Sequence, residues 1–156
     1  MKQFEIEETG KFMSELLTGE RYDSFYLFEA RIKTGIDYSI NGKMNKDFFD
    51  NDDRDIMAAE EYISWKDIKP TVYGLIKGDK LPLSLKLILM FNRENITRLV
   101  EMNNLPIAEP DIGALFFNVL YEKGSLTVTT GTSVKTFSLD KTLDSVWDGT
   151  VEKYYI

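Results

Sequence analysis

Two hydrophobic periods alternate along this chain, and they sort it into helices and strands. From Thr9 to Leu17 the apolar residues Phe12, Met13, Leu16 and Leu17 fall on one helical face, and Gly19 supplies a C-terminal stop. Phe25 to Lys33 then switches to period two. Tyr26, Phe28, Ala30 and Ile32 share one side, while the other begins with Phe25 and Leu27 and turns charged at Glu29, Arg31 and Lys33. Ile36, Tyr38 and Ile40 alternate again, and Asn41-Gly42 reads as a hairpin turn with a short return strand through Met44. Ile56, Ala59 and Ile63 fit a helical stripe starting near Asp53. Ser64-Trp65-Lys66-Asp67 fits a capping box, and Pro70 is expected to open a further helix at its first turn, with Val72, Leu75 and Ile76 as its core stripe and Gly78 just past its end.

Leu83 to Phe91 is the clearest strand. Leu83, Leu85, Leu87, Leu89 and Phe91 line one face, and Ser84, Lys86, Ile88 and Met90 line the other, polar at one end and apolar at the other. That apolar end should be covered on both sides, the outer cover being a helix. Asn92 caps a helix carrying Ile96, Leu99 and Val100, and Asn103 to Pro110 is a loop. Three strands follow at Ile112 to Glu122, Ser125 to Thr130 and Val134 to Leu139, separated by turns at Lys123-Gly124 and Gly131-Thr132-Ser133. The first is apolar on both faces and should be central. A final helix from about Asp140 carries Leu143, Val146, Trp147, Val151, Tyr154 and Tyr155. Gly149 inside it costs about 1 kcal/mol relative to Ala, which suggests close packing or a break.

These elements predict an α+β fold in one domain, 1–156: a mostly antiparallel, curved sheet of five to seven strands with helices packed on one face. A sheet curved into a half-barrel is the alternative. At 156 residues the chain is long enough to bury a core without a metal or disulfide staple. The longest apolar run, Leu87 to Phe91, is far too short to span a membrane. The N-terminus shows acids rather than an apolar signal segment, so the expected location is cytoplasmic.

Composition changes the picture through two zeros: the chain has no His and no Cys. Thiolate nucleophiles, cysteine zinc sites, Ser-His-Asp triads and imidazole bases are therefore excluded. No Gly-rich phosphate loop is present either. Any metal must be held by oxygen ligands, which points to Mg²⁺, Ca²⁺ or Mn²⁺.

The net charge of −7 is concentrated. Residues 47–61 hold seven acids against Arg54 alone, a net of −6, whereas residues 66–86 hold five lysines against two aspartates, a net of +3. Overall acidity argues against nucleic acid as a partner. Asp47, Asp50, Asp52 and Asp53 are candidate cation ligands. Their spacing departs from a calcium loop, since Arg54 stands at a ligand position and Asp55 at the turn glycine, and a solvated acidic surface is the stronger reading. Trp65, Lys77, Lys80 and Lys86 are candidates for an anion or partner surface, against helix-end charge and an exposed strand end.

The run Asn45-Lys46-Asp47-Phe48-Phe49, Tyr62-x-x-Trp65, Lys69-Pro70, Leu75-Ile76-Lys77-Gly78, Pro82 and Lys86 resembles a family of small uncharacterised Firmicutes proteins, a domain of unknown function. That resemblance implies a bacterial source and transfers no activity or site residue. The expected function is a cytoplasmic binding or interaction protein without catalytic signature, self-associating as a homodimer or binding a protein partner, with no cofactor. The alternatives are an enzyme that uses a divalent metal (Mg or Ca) on an anionic small molecule, with Lys77 or Lys86 as anion clamp, and a carrier of an apolar ligand.

Overall fold

The computed structural model describes residues 1–50 and 61–156. In chain order the elements are β1 (Gln3–Glu5), α1 (Thr9–Thr18), β2 (Tyr26–Lys33), β3 (Asp37–Asn41), α2 (Trp65–Ile76), β4 (Ser84–Met90), α3 (Arg93–Met102), β5 (Ile112–Glu122), β6 (Ser125–Val134) and α4 (Thr142–Tyr154). Single 3-10 turns lie at Lys46–Phe48 and Glu109–Asp111. The six strands form one open antiparallel sheet in the order β1-β6-β5-β4-β2-β3. The fold is α+β, and β4 and β5, the two most apolar strands, are the central pair.

One face of the sheet builds the core. Leu85, Leu87 and Leu89 of β4 stand opposite Tyr121, Val119 and Phe117 of β5, and Val119 in turn opposes Val128 of β6. Leu16 of α1, Trp65 and Val72 of α2, Ile96 and Leu99 of α3, and Leu143, Trp147 and Val151 of α4 join them in one buried cluster. The helices therefore cover this inner face. At one end of the cluster Tyr22, Phe25, Phe91, Phe117 and Tyr155 form a network of tilted and edge-on rings 5.0–6.2 Å apart. Each indole has a carbonyl acceptor: Trp65 donates to Leu16 O and Trp147 to Phe116 O, both at 2.9 Å. Among the described residues no buried side-chain polar atom lacks a partner, which is the condition for burying polar groups without penalty.

Local caps form where the sequence places them. Ser64 Oγ accepts from Asp67 N, and Asn92 Oδ1 accepts from Asn95 N, each closing a helix N-terminus. Lys123 and Gly124 both have positive φ, as a tight hairpin turn needs.

Several elements differ from expectation. Pro70 opens no new helix; it lies inside α2, which runs unbroken from Trp65 to Ile76. The proline removes only the hydrogen bond to the Lys66 carbonyl, one turn in, and burial of Trp65 and Val72 on the same helix outweighs that loss. Asn41-Gly42 is not a hairpin turn. The turn between β2 and β3 lies at Thr34 to Ile36, and after β3 the chain runs alongside residues 61–64, with Met44 N on Glu61 O and Ile63 N on Gly42 O. Ile63 thus belongs to an extended ladder, not to a helix; the expected helical stripe upstream of it lies outside the described residues. Gly131-Thr132-Ser133 does not turn but continues β6 to Val134, and the expected strand at Val134 to Leu139 is absent, with Phe137 and Leu139 exposed. Gly149 neither breaks α4 nor packs closely, for a Cβ placed there would meet nothing within 4 Å.

Candidate functional site on the outer sheet face

The outer face of the sheet starts from an irregularity in β2. Leu27 pairs with Leu89 of β4, but Glu29 pairs with Ile88, so Phe28 is an extra residue in the ladder. A β-bulge of this kind shifts the alternation by one place. Before it, Phe25 and Leu27 point into the core; after it, Ala30 and Ile32 do, and all four are fully buried. The period-two reading that put Tyr26, Phe28, Ala30 and Ile32 on one face is corrected by this insertion. Phe28 is turned outward and is 37% exposed.

Its ring is not alone. Tyr62 lies 5.7 Å away and Phe116 of β5 lies 5.8 Å away, edge-on to Phe28. Ile88 and Leu120 extend the apolar strip along β4 and β5, half-buried on this side. Among the described residues, the cover over the apolar end of β4 is made by Phe28, Tyr62 and Phe116. A second bulge, at Gly113 of β5, lies at the same end of the sheet. Between the two bulges is a recess of about 340 Å³ bounded by Tyr26, Tyr62, Met90, Gly113, Ala114 and the charged Glu61, Arg93 and Lys135.

Tyr62 is held in place by backbone pairing. Lys43 bridges Tyr62, Leu27 N donates to Ile63 O at 2.9 Å, and Gly42 N donates to Phe28 O at 3.0 Å. Gly42 is required here because a Cβ would stand 1.8 Å from Leu27 O. Ion pairs flank the strip: Lys43 with Glu61 at 3.4 Å, and Arg31 with Glu29 at 2.9 Å. Lys86 is exposed farther along the same face, opposite Arg31 and Leu120. The strip therefore has an apolar centre and a rim of both charge signs, the composition of a protein-binding surface.

The residues singled out from sequence are not gathered here. Trp65 is fully buried beneath α1, with its indole bonded to Leu16 O, so it is a core residue and not part of a surface. Lys77 ends α2 in the helical layer and Lys80 follows in the exposed connection to β4, whereas Lys86 projects from the opposite face of the sheet. Asp47 and Asp50 are exposed in and just after the first 3-10 turn; Asp52 and Asp53 lie outside the described residues. No group of three or more acidic side chains among the described residues is placed to hold a metal ion. Phe28, Tyr62 and Phe116 were missed as a site because β-branched and aromatic alternation looks the same with or without a bulge. The legible signal was the apolar end of the outer rows on β4 and β5.

Two tyrosines carry perturbed protons, both in the core. Burial pushes Tyr22 up to about 12, and its hydroxyl donates to Tyr155 O at 2.7 Å; burial also raises Tyr155. Their role is structural, since both rings belong to the aromatic network. Among the described residues, no helix is long and apolar enough to cross a membrane.

The chain belongs to a family of unknown function, DUF5721, whose model matches residues 15–156. No curated protein and no solved structure matches it.

Proposed function

We propose that this member of a family of unknown function is a non-enzymatic interaction protein that binds a second copy of itself through the outer sheet face. The observation that carries the reading is the β2 bulge, which turns Phe28 out of the core into a ring cluster with Tyr62 and Phe116. The Phe28 ring packs against Tyr62 and Phe116 within the chain, yet 37% of the residue stays exposed, and a partner sheet would bury that remainder.

The area is consistent with a weak dimer. Four strands about 4.8 Å apart and seven residues long, at about 3.4 Å each, present roughly 450 Å² per protomer, or roughly 900 Å² for a face-to-face pair. That is about a quarter below the lower bound of standard specific interfaces, about 1,200 Å², and in the range of weak, transient contacts. The rim supports self-docking, because each protomer offers charges of both signs, partly neutralised by its own Lys43–Glu61 and Arg31–Glu29 pairs. A two-fold contact uses the same patch on both sides.

Sedimentation velocity between about 5 and 500 µM tests this. A concentration-dependent shift from monomer to dimer, abolished by Phe28→Asp and by Leu120→Lys, supports it. A strict monomer at 500 µM, or a dimer indifferent to both substitutions, overturns it.

A further inference from the structure

We infer that Lys86 and Glu122 pair across the dimer, each with the other residue of the second copy, and that this exchange sets how the two outer faces register. The inference rests on the self-association proposed above and names the contact that orients it.

The charged residues that point outward from the strands β2 to β5 are Glu29, Arg31 and Lys33 of β2, Asp37 of β3, Lys86 of β4 and Glu122 of β5. Those of β2 and β3 are matched within the chain, Arg31 with Glu29 at 2.9 Å and Lys33 with Asp37 at 4.0 Å. Lys86 and Glu122 are exposed, and neither has an ion-pair partner among the described residues. One cation and one anion are thus left over, and they lie together. Lys86 stands opposite Leu120, and Glu122 follows Leu120 by two residues on the same side of β5. A two-fold contact presents one patch twice, so a patch that carries one unmatched group of each sign is complementary to itself.

Charge also selects the orientation. The apolar strip has an aromatic end, Phe28 with Phe116, and an aliphatic end at Leu120. With the two-fold running along the strip, the sheets pack nearly aligned, like ends meet, and β4 of one copy lies over β5 of the other. The Lys86 stem then covers the partner's Leu120, and the partner's Glu122 is two residues farther on, about 7 Å along the strand. A lysine side chain spans that offset. With the two-fold running across the strip, Lys86 is pressed instead onto the partner's aromatic end. Glu61 at that end is already held by Lys43 at 3.4 Å. An ammonium desolvated without a carboxylate is strongly unfavourable, so the aligned arrangement is the one the charges permit.

Sedimentation velocity of the full chain with reversed charges tests the exchange. Lys86→Glu alone and Glu122→Lys alone should each weaken dimerisation about tenfold or more, because each brings like charges together. The double reversal should return the dissociation constant to within about threefold of the parent's. Raising NaCl from about 50 to about 500 mM should weaken the parent and the double reversal alike, and should affect the combined Lys86→Ala and Glu122→Ala protein much less. Melting temperatures of the single reversals should stay within about 1 °C of the parent, as exposed side chains unpaired in the monomer require; a larger drop would place the pair within one chain and overturn the exchange. A parent that dimerises and is disrupted by Phe28→Asp, yet is indifferent to either single reversal or not recovered by the double reversal, overturns the exchange while self-association stands. A parent that is monomeric at about 500 µM removes self-association and the exchange with it.

Discussion

Replacing Gly42 with alanine tests the junction that holds Tyr62 over Phe28. The added Cβ would lie 1.8 Å from Leu27 O, 2.6 Å from its carbonyl carbon and 3.2 Å from its Cβ. Leu27 is fully buried and its own N–H is bonded to Ile63 O, so neither partner has slack to move. Separation by more than an ångström must break Gly42 N to Phe28 O, Ile63 N to Gly42 O or Leu27 N to Ile63 O. At about 1 kcal/mol for each bond, loss of all three costs about 3 kcal/mol. In a chain of 156 residues that lowers the melting temperature by roughly 6–12 °C. Gly149→Ala is the matched control: with open space at its Cβ and helical backbone, it should gain up to about 1 kcal/mol, a rise of roughly 2–4 °C. Urea unfolding of both variants beside the parent protein measures the difference. A Gly42→Ala protein within about 0.5 kcal/mol of the parent would refute the close approach.

Tyr22→Phe should cost about 1 kcal/mol at neutral pH by removing the bond to Tyr155 O. Because the folded state holds the Tyr22 proton to about 12, against an unfolded value near 10, its contribution is complete below pH 10 and is lost as pH rises from 10 to 12. Denaturation midpoints should therefore fall less steeply in Tyr22→Phe across that window, and parallel curves for the two proteins would contradict the assignment. For the metal reading of Asp47, Asp50, Asp52 and Asp53, millimolar Mg²⁺, Mn²⁺ or Ca²⁺ should shift the melting temperature by less than 1 °C. An ion at 100 times its Kd would add about 2.7 kcal/mol and reverse that expectation.

The fold was legible wherever one physical signal dominated. Leu85, Leu87 and Leu89 alternate without interruption, so β4 is readable to within a residue, and Ser64 and Asn92 mark helix starts because their side chains close the first turn. Misreadings occurred where local preference and tertiary context disagree. Asn41-Gly42 has the composition of a tight turn, yet the glycine is there because β2 passes too close for a Cβ. Pro70 looks like a helix start, yet the buried stripe of α2 carries the helix through it. The Gly131-Thr132-Ser133 run reads as a turn, but β5 pairs with it and keeps it extended. The site was the least legible part. A bulge adds one residue without changing its type, so Phe28 could not be told from a core position, and only the register against Leu89 and Ile88 reveals that it faces outward.

Sedimentation velocity of the parent protein and of Phe28→Asp, over the same range of about 5–500 µM, addresses the central claim most directly. The parent should move reversibly from monomer toward dimer, and the variant should stay monomeric with its far-ultraviolet dichroism intact. A parent that remains monomeric throughout, or a folded variant that dimerises as the parent does, would contradict it.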